Sequence, residues 1–385
     1  MQQALDVIRS LVSFDTESQN SNMKLVGWLS DYLSENGGRL RVIPNEAGDK
    51  ANIIASFGPD SDGGVVLSGH TDVVPANPAD WSMEPYRCVE RDGRLYGRGS
   101  CDMKSFVGAA ASLAGSMSAA NLQRPIYLCF SYDEEIGCYG VPSLIAALKQ
   151  HYPGVDAVIV GEPTGMEVVE QHKGILSGWF EIKGISAHSG MPQMGVSASE
   201  TGLRLLNDVL DWADTLPNSP ARNDAFDPPY STINLGVLQS GVATNILPAQ
   251  LRCDWLMRVI PGESSQEHRA RIESMVDNRR ARMKALNPAC DVTVMFDGDL
   301  APFLREDNGY AGNLCRQLAG TRTGAAVSFN TEAGLFQSAG FSTALCGPGS
   351  MEQAHKPDEF IEISQIAACH AMIERLIDYQ CRPRS

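Results

Sequence analysis

His70 and Asp72 stand two residues apart in Ser68-Gly69-His70-Thr71-Asp72-Val73-Val74-Pro75, directly after the apolar run Val65-Val66-Leu67. The run predicts a short buried strand that presents His70 at its C-terminal end. In extended chain, residues i and i+2 share a face, so both side chains point the same way. A carboxylate beside an imidazole fixes the tautomer that leaves one ring nitrogen free for a metal. Alone, the pair suits a strand-end histidine satisfied by a turn better than a metal ligand. Further acids stand in comparable places downstream at Asp102, Asp133-Glu134-Glu135 and Glu162, with a second imidazole at His355.

His70, Asp102, Glu135, Glu162 and His355 offer two imidazoles and three carboxylates. If one carboxylate bridges two cations, the remaining four give each cation one histidine and one acid. Such a mixed N/O set with open positions suits a pair of Zn²⁺ or Co²⁺ better than Mg²⁺ or Ca²⁺. Two ions ~3.5–4 Å apart can hold a hydroxide between them and polarise a carbonyl. Glu134 is then left over, and a carboxylate that binds no metal beside that water is the natural general base. Otherwise, Asp133-Glu134-Glu135 reads as a solvated acidic turn. A metal-loaded binding protein without catalysis would have no use for Glu134. A thiol hydrolase built on Cys101 is disfavoured, because no histidine is near it in sequence and Asp102 would raise its pKa.

The elements that must position these groups alternate between strand and helix. Helical periodicity covers 3–11 and 22–36, and strands are predicted at 39–43, 52–57 and 65–67. An Ala-rich helix follows at 105–117, then a strand at 125–132, a helix at 141–151 and a strand at 155–160. This order argues an α/β sheet with helices on both faces, where ligands gather at the C-terminal ends of strands. From 174 the pattern changes to strand, helix, strand, strand, helix, strand, ending at 296, which is the ferredoxin-like split unit. Its placement predicts an insertion: residues 1–175 and 297–385 form the metal-binding domain, and 176–296 an inserted domain.

A chain of 385 residues exceeds one ordinary domain, so two are expected. The net charge of −15, without a long basic run, makes nucleic acid and anionic membranes poor partners. No apolar stretch approaches the ~20 residues of a membrane span. The N-terminus lacks a charged region followed by an apolar one, so a cytoplasmic location is expected. Ten scattered cysteines without a Cys-x-x-Cys pair read as free thiols.

Gly69-His70-Thr71-Asp72-Val73-Val74-Pro75, Gly97-Arg98-Gly99-Ser100-Cys101-Asp102-Met103-Lys104, Asp133-Glu134-Glu135, Gly161-Glu162-Pro163-Thr164 and Ala354-His355 resemble, in order and spacing, the co-catalytic zinc aminoacylase/carboxypeptidase family. The resemblance covers nearly the whole chain. It implies a zinc-peptidase-like mixed sheet flanked by helices, with an inserted ferredoxin-like α+β lid domain through which a homodimer forms. It implies two Zn²⁺ per subunit, replaceable by Co²⁺: one held by His70, Asp102 and Glu162, the other by Asp102, Glu135 and His355. Glu134 would be the general base, Asp72 would orient His70, and the lid residue His188 would help stabilise the oxyanion. Asn245 and Arg258 match lid positions that contact the substrate. A cis peptide after Asp102 is also implied. The chain departs from the family at Ser105, where glycine is usual, and at Cys101.

Within the family, Asn330-Thr331-Glu332-Ala333, His172-Lys173-Gly174 and Gly347-Pro348-Gly349-Ser350 are similar to members that remove acetate from N2-acetyl-L-ornithine in arginine biosynthesis. On that implication, Glu332 faces the substrate's ammonium, while Arg258 and the backbone of Gly347 and Gly349 hold its carboxylate. The alternatives are acetylcitrulline, succinyl-diaminopimelate, another N-acyl amino acid, or a dipeptide.

Overall fold

A computed structural model describes residues 1–321 and 324–383. In chain order the elements are α1 (Gln2–Val12), α2 (Met23–Glu35), β1 (Arg39–Pro44), β2 (Ala51–Phe57), β3 (Gly64–His70), β4 (Val89–Arg91), β5 (Arg94–Tyr96), α3 (Lys104–Ser112), α4 (Ala114–Ala119), β6 (Ile126–Ser131), α5 (Val141–His151), β7 (Val155–Val160), β8 (Val168–His172) and β9 (Gly174–Lys183). There follow α6 (Ala198–Ala213), β10 (Thr232–Ser240), β11 (Gln250–Val259), α7 (Ser265–Leu286), β12 (Asp291–Leu300), α8 (Tyr310–Ala319), β13 (Gly324–Val327), α9 (Ala333–Ser338), β14 (Thr343–Leu345), β15 (Phe360–Glu362) and α10 (Ile363–Gln380). Among the described residues, no helix is long and apolar enough to cross a membrane.

The chain divides into two compact units. The first comprises Met1–Glu170, Arg305–Ala325 and Thr331–Ser385, and the second Gln171–Leu304 and Ala326–Asn330. The main return to the first unit falls at Arg305, because β12 continues to Leu300 past a bulge near Asp297.

The first unit's sheet includes, in order, β1, β2, β6, β3, β7, β14 and β8. β3 runs parallel to both β6 and β7, whereas β1–β2, β2–β6 and β14–β8 are antiparallel. The sheet is therefore mixed. β2, β3 and β6 are buried along their whole length, as strands covered on both faces must be, which explains the apolar runs they contain. The Ala-rich helix lies close against α1: a Cβ at Gly108 would come within 2.5 Å of Ile8. It is not continuous over 105–117 but breaks at Leu113. There the Ser112 hydroxyl donates to the Ala109 carbonyl at 2.8 Å, a back-bond of the kind that bends helices. β8 escaped the pattern reading because Glu170 lies buried in its middle, paired with Arg316 of α8.

In the second unit four antiparallel strands run in the order β10-β11-β9-β12. β9 alternates between buried and half-exposed residues, the mark of a sheet with one covered face. Both long helices start on serine caps: Ser197 accepts from the Glu200 amide and Ser264 from the Glu267 amide. The charged helix α7 buries His268, Ile272 and Val276 at four-residue spacing, a stripe that polar neighbours conceal in the sequence.

Candidate metal centre

β6, β3 and β7 are adjacent and parallel, so their C-terminal ends lie side by side. His70 closes β3, Asp133-Glu134-Glu135 follows β6, and Glu162 follows β7. The loop between β5 and α3 adds Asp102, and the segment between β14 and β15 adds His355. Together they form two clusters of ligand atoms, each within 4.8 Å: His70, Asp102 and Glu162, and Asp102, Glu135 and His355. Asp102 belongs to both. Its Oδ1 lies 3.1 Å from Nε2 of His70 and its Oδ2 3.3 Å from Nε2 of His355. Glu135 approaches His355 at 3.0 Å. The peptide between Asp102 and Met103 is cis.

The environment of these groups suits cations. Among the described residues, the buried Oε1 of Glu162 has no hydrogen-bond partner. Burial, reinforced by the charges of Asp102 and Glu134, pushes the Glu162 carboxyl well above its ordinary range. Burial also pushes Glu134 well up, and the charges of Glu135 and Asp102 add to this. His355 is pushed up to about 10, chiefly by its hydrogen bonds with Asp102 and Glu135. Burial alone would lower His70, but the bond and charge of Asp102 lift it well above an ordinary imidazole. Glu134, Glu162, His70 and His355 all shifted upward mark a buried site with more acidic than basic groups. Two imidazoles and three carboxylates, one carboxylate facing both imidazoles, form a donor set that fits divalent transition metals.

Asp72 acts differently from expectation. Nδ1 of His70 donates to the Asp72 carbonyl at 2.9 Å, while the carboxylate stays 3.7 Å from it. β3 ends at His70, so the alternation of faces does not continue to Asp72. The backbone therefore fixes the ring. The Asp72 carboxylate instead accepts the amides of Glu134 at 3.1 Å and Glu135 at 3.2 Å, and the Ser18 hydroxyl at 2.7 Å. Asp133, at φ 55°, belongs to neither cluster and pairs with Lys50. The acidic run is thus one ion-paired acid, one acid outside both clusters and one member of the second cluster. The Cys138 thiol donates to Glu134 Oε1 at 3.6 Å. Neither Ser18 nor Cys138 was marked by the sequence.

Glu332 does not lie open to a ligand. It is fully buried, and its two oxygens accept from Ser68 on β3 and Ser131 at the end of β6. A carboxylate so enclosed braces the ligand-bearing strands instead of facing a substrate ammonium. Gly347 gives its N–H to the Thr164 hydroxyl at 3.2 Å, so that donor is already taken. A Cβ on Gly347 would overlap the Gly161 carbonyl, and Gly349 needs φ 94°, so both glycines shape the Glu162 segment. The two departures are accommodated locally. Ser105 donates to the Ser100 carbonyl and Cys101 to the Ser350 carbonyl. Burial, with the charges of Glu359 and Asp102, pushes the Cys101 thiol far up, which removes it as a nucleophile.

His188, Asn245 and Arg258 lie in the second unit. There the Ser189 amide donates to the Asn245 carbonyl at 2.9 Å, which sets His188 and Asn245 on neighbouring, exposed backbone. His188 Nδ1 accepts from Gly190 at 3.0 Å. Arg258 is half-buried on β11, and burial lowers its pKa. Burial and then the Arg258 charge lower that of Lys173.

A site of this kind on a mixed sheet defines a metal-dependent hydrolase. Residues 66–379 match the model of peptidase family M20/M25/M40, and the chain belongs to that family. It is 31% identical over 373 residues to an acetylornithine deacetylase of Photorhabdus laumondii, covering 97% of this chain and 94% of that one. In fold it is similar to an M20 family metallo-carboxypeptidase from Sulfolobus solfataricus, with TM-score 0.79, 15% identity and coverage of 99% and 100% of the two chains. It is also similar to a dinuclear metal binding peptidase from Bacillus subtilis, with TM-score 0.64, 14% identity and coverage of 98% and 97%.

Proposed function

We propose that the chain removes the acetyl group from N2-acetyl-L-ornithine, using two zinc ions, with cobalt able to replace them. The observation that carries this reading is the shared Asp102, each of whose oxygens faces a different histidine, with Glu134 beside them as an acid outside both clusters. The likeness to acetylornithine deacetylases supports the choice of substrate. His70, Asp102 and Glu162 hold one ion, and Asp102, Glu135 and His355 the other. Bound there, the ions supply a polarised acyl carbonyl and a water of lowered pKa. Glu134 takes the proton of the attacking water and returns it to the departing amine nitrogen. Its raised pKa makes it a stronger base than an ordinary carboxylate for the first of these transfers.

His188 steadies the developing oxyanion, Asn245 contacts the substrate, and the Arg258 guanidinium receives the α-carboxylate, which it can grip with two N–H groups. A second copy associates through the inserted unit. There the outer strand β10 exposes Val237 and Leu238, and the turn after it exposes Val242.

Metal-loaded protein assayed on acetylornithine, acetylcitrulline, acetylmethionine and succinyl-diaminopimelate tests the assignment. The highest kcat/KM is expected on acetylornithine. Preference for acetylcitrulline would reject the ornithine assignment and leave the two-ion deacylase standing. No hydrolysis of any N-acyl amino acid would reject both.

A further inference from the structure

Glu359 belongs to neither ligand cluster, yet its carboxylate holds the loop that carries Asp102. It is 1% exposed. Its Oε1 accepts from the backbone amides of Cys101 at 2.8 Å and Asp102 at 3.0 Å. Its Oε2 accepts from the Gly99 amide at 3.1 Å and from Nη1 of Arg98 at 2.7 Å. Its own carbonyl accepts from the Gly97 amide at 2.9 Å and the Ser100 hydroxyl at 3.3 Å. Arg98 closes the arrangement by reaching the carbonyls of Pro75 and Lys356. One carboxylate thus gathers three amides of the 97–102 loop, those of Gly99, Cys101 and Asp102, as an anion gathers N–H donors in a nest.

Glu359 lies on the same short segment as His355. That segment presents His355 to Asp102 and Glu135, and through Glu359 it grips the backbone of Asp102 itself. The two clusters depend on this grip unequally. In the second cluster it registers two of the ligands, Asp102 and His355, against each other. In the first it touches Asp102 alone, because His70 and Glu162 are set by the ends of β3 and β7.

We infer that Glu359 is a positioning residue that sets the affinity of the second ion, held by Asp102, Glu135 and His355, while leaving the first largely unaffected. The inference rests on the two-ion reading above. Outer partners of metal ligands typically contribute 10–100-fold in metal affinity. In Glu359→Gln, one acceptor oxygen becomes an NH₂ group facing N–H donors, so the loop and the His355 segment lose their common register.

The test is stepwise uptake of Co²⁺ by the metal-stripped full chain, followed by calorimetry and by the visible absorption of the bound ion. Wild type is expected to take up two ions in two steps. Glu359→Gln should keep the first step within about threefold and weaken the second roughly 10–100-fold. Arg98→Lys keeps a cation beside Oε2 and all three amide contacts, so it should retain both steps even if its melting temperature falls. Should circular dichroism show that Glu359→Gln does not fold, Glu359→Asp, whose shorter carboxylate reaches fewer of the amides, must show the same selective loss. Two wild-type steps in the folded Glu359 variant, or equal weakening of both, would overturn the role. A wild type that binds a single ion would overturn the two-ion reading and this inference with it.

Discussion

Asp72→Asn separates two roles for a carboxylate that stands beside His70, a member of the first candidate ligand cluster. The Asp72 side chain is 3% exposed and accepts three hydrogen bonds, from the amides of Glu134 and Glu135 and from Ser18. Asparagine keeps the shape and the backbone carbonyl that holds Nδ1 of His70, but puts an NH₂ donor where one acceptor was. At least one of the two amides then faces a donor. A hydrogen bond to a buried charged group is worth about 1.5–3 kcal/mol. If about 2 kcal/mol of that hold on the 133–135 turn is lost, the rate falls roughly 30-fold, at about 1.4 kcal/mol per tenfold. The assay is kcat/KM at full metal occupancy, read beside the nitrogen NMR shifts of the His70 ring. A lower rate with an unchanged ring tautomer is expected. A changed tautomer, or loss of the ion on the His70 side at an unchanged rate per occupied site, would show that the carboxylate orients the ring after all.

Glu134→Gln should retain metal and lose roughly 10²–10⁴-fold in turnover, and equal turnover at equal metal content would end its role as base. Glu332→Gln should lower stability by about 1–2 kcal/mol through weaker bonds to Ser68 and Ser131, and should slow acetylornithine and acetylmethionine hydrolysis alike. A loss confined to acetylornithine would return Glu332 to the substrate's ammonium. In the second unit burial would raise Glu263, but hydrogen bonds from His268, Ser219 and Ser231 outweigh it and hold the carboxyl at about 2. A folded pKa below the unfolded one stabilises at pH above the unfolded value, and that contribution is lost as pH falls toward the folded value. Glu263→Gln should therefore flatten the decline in urea midpoint between roughly pH 4.5 and pH 2, by about 1–2 kcal/mol after screening. An unchanged acid limb would contradict this.

The strands that bear ligands were legible because burial on both faces leaves unbroken apolar runs, and each run stops where the polar ligand begins, as at Leu67 before His70 and Val160 before Glu162. What connects distant segments was not legible. Glu359 and Asp102 lie far apart in the chain, and nothing in either neighbourhood announces that one grips the other's amide. Ser68 and Ser131 did carry a sign, since a hydroxyl inside an apolar strand needs a buried partner, which is Glu332. The shift of Asp72 from ring to turn is hidden in the sequence because β3 ends at His70, two residues before Asp72.

The order of the ligands along the chain also sets when each cluster can exist. A growing polypeptide has His70, Asp102 and Glu162 once Glu162, two residues past β7, is made, but His355 and Glu359 come roughly 190 residues later, about 10–40 s at ordinary ribosomal speeds. In that interval the loop bearing Asp102 has no carboxylate to grip its amides, and β14 has not yet joined β7. A nascent chain can thus assemble the first ligand set while the second has no imidazole. Completion of the centre thus waits for the segment that carries His355 and Glu359, and a product truncated before β14 carries one of the two clusters.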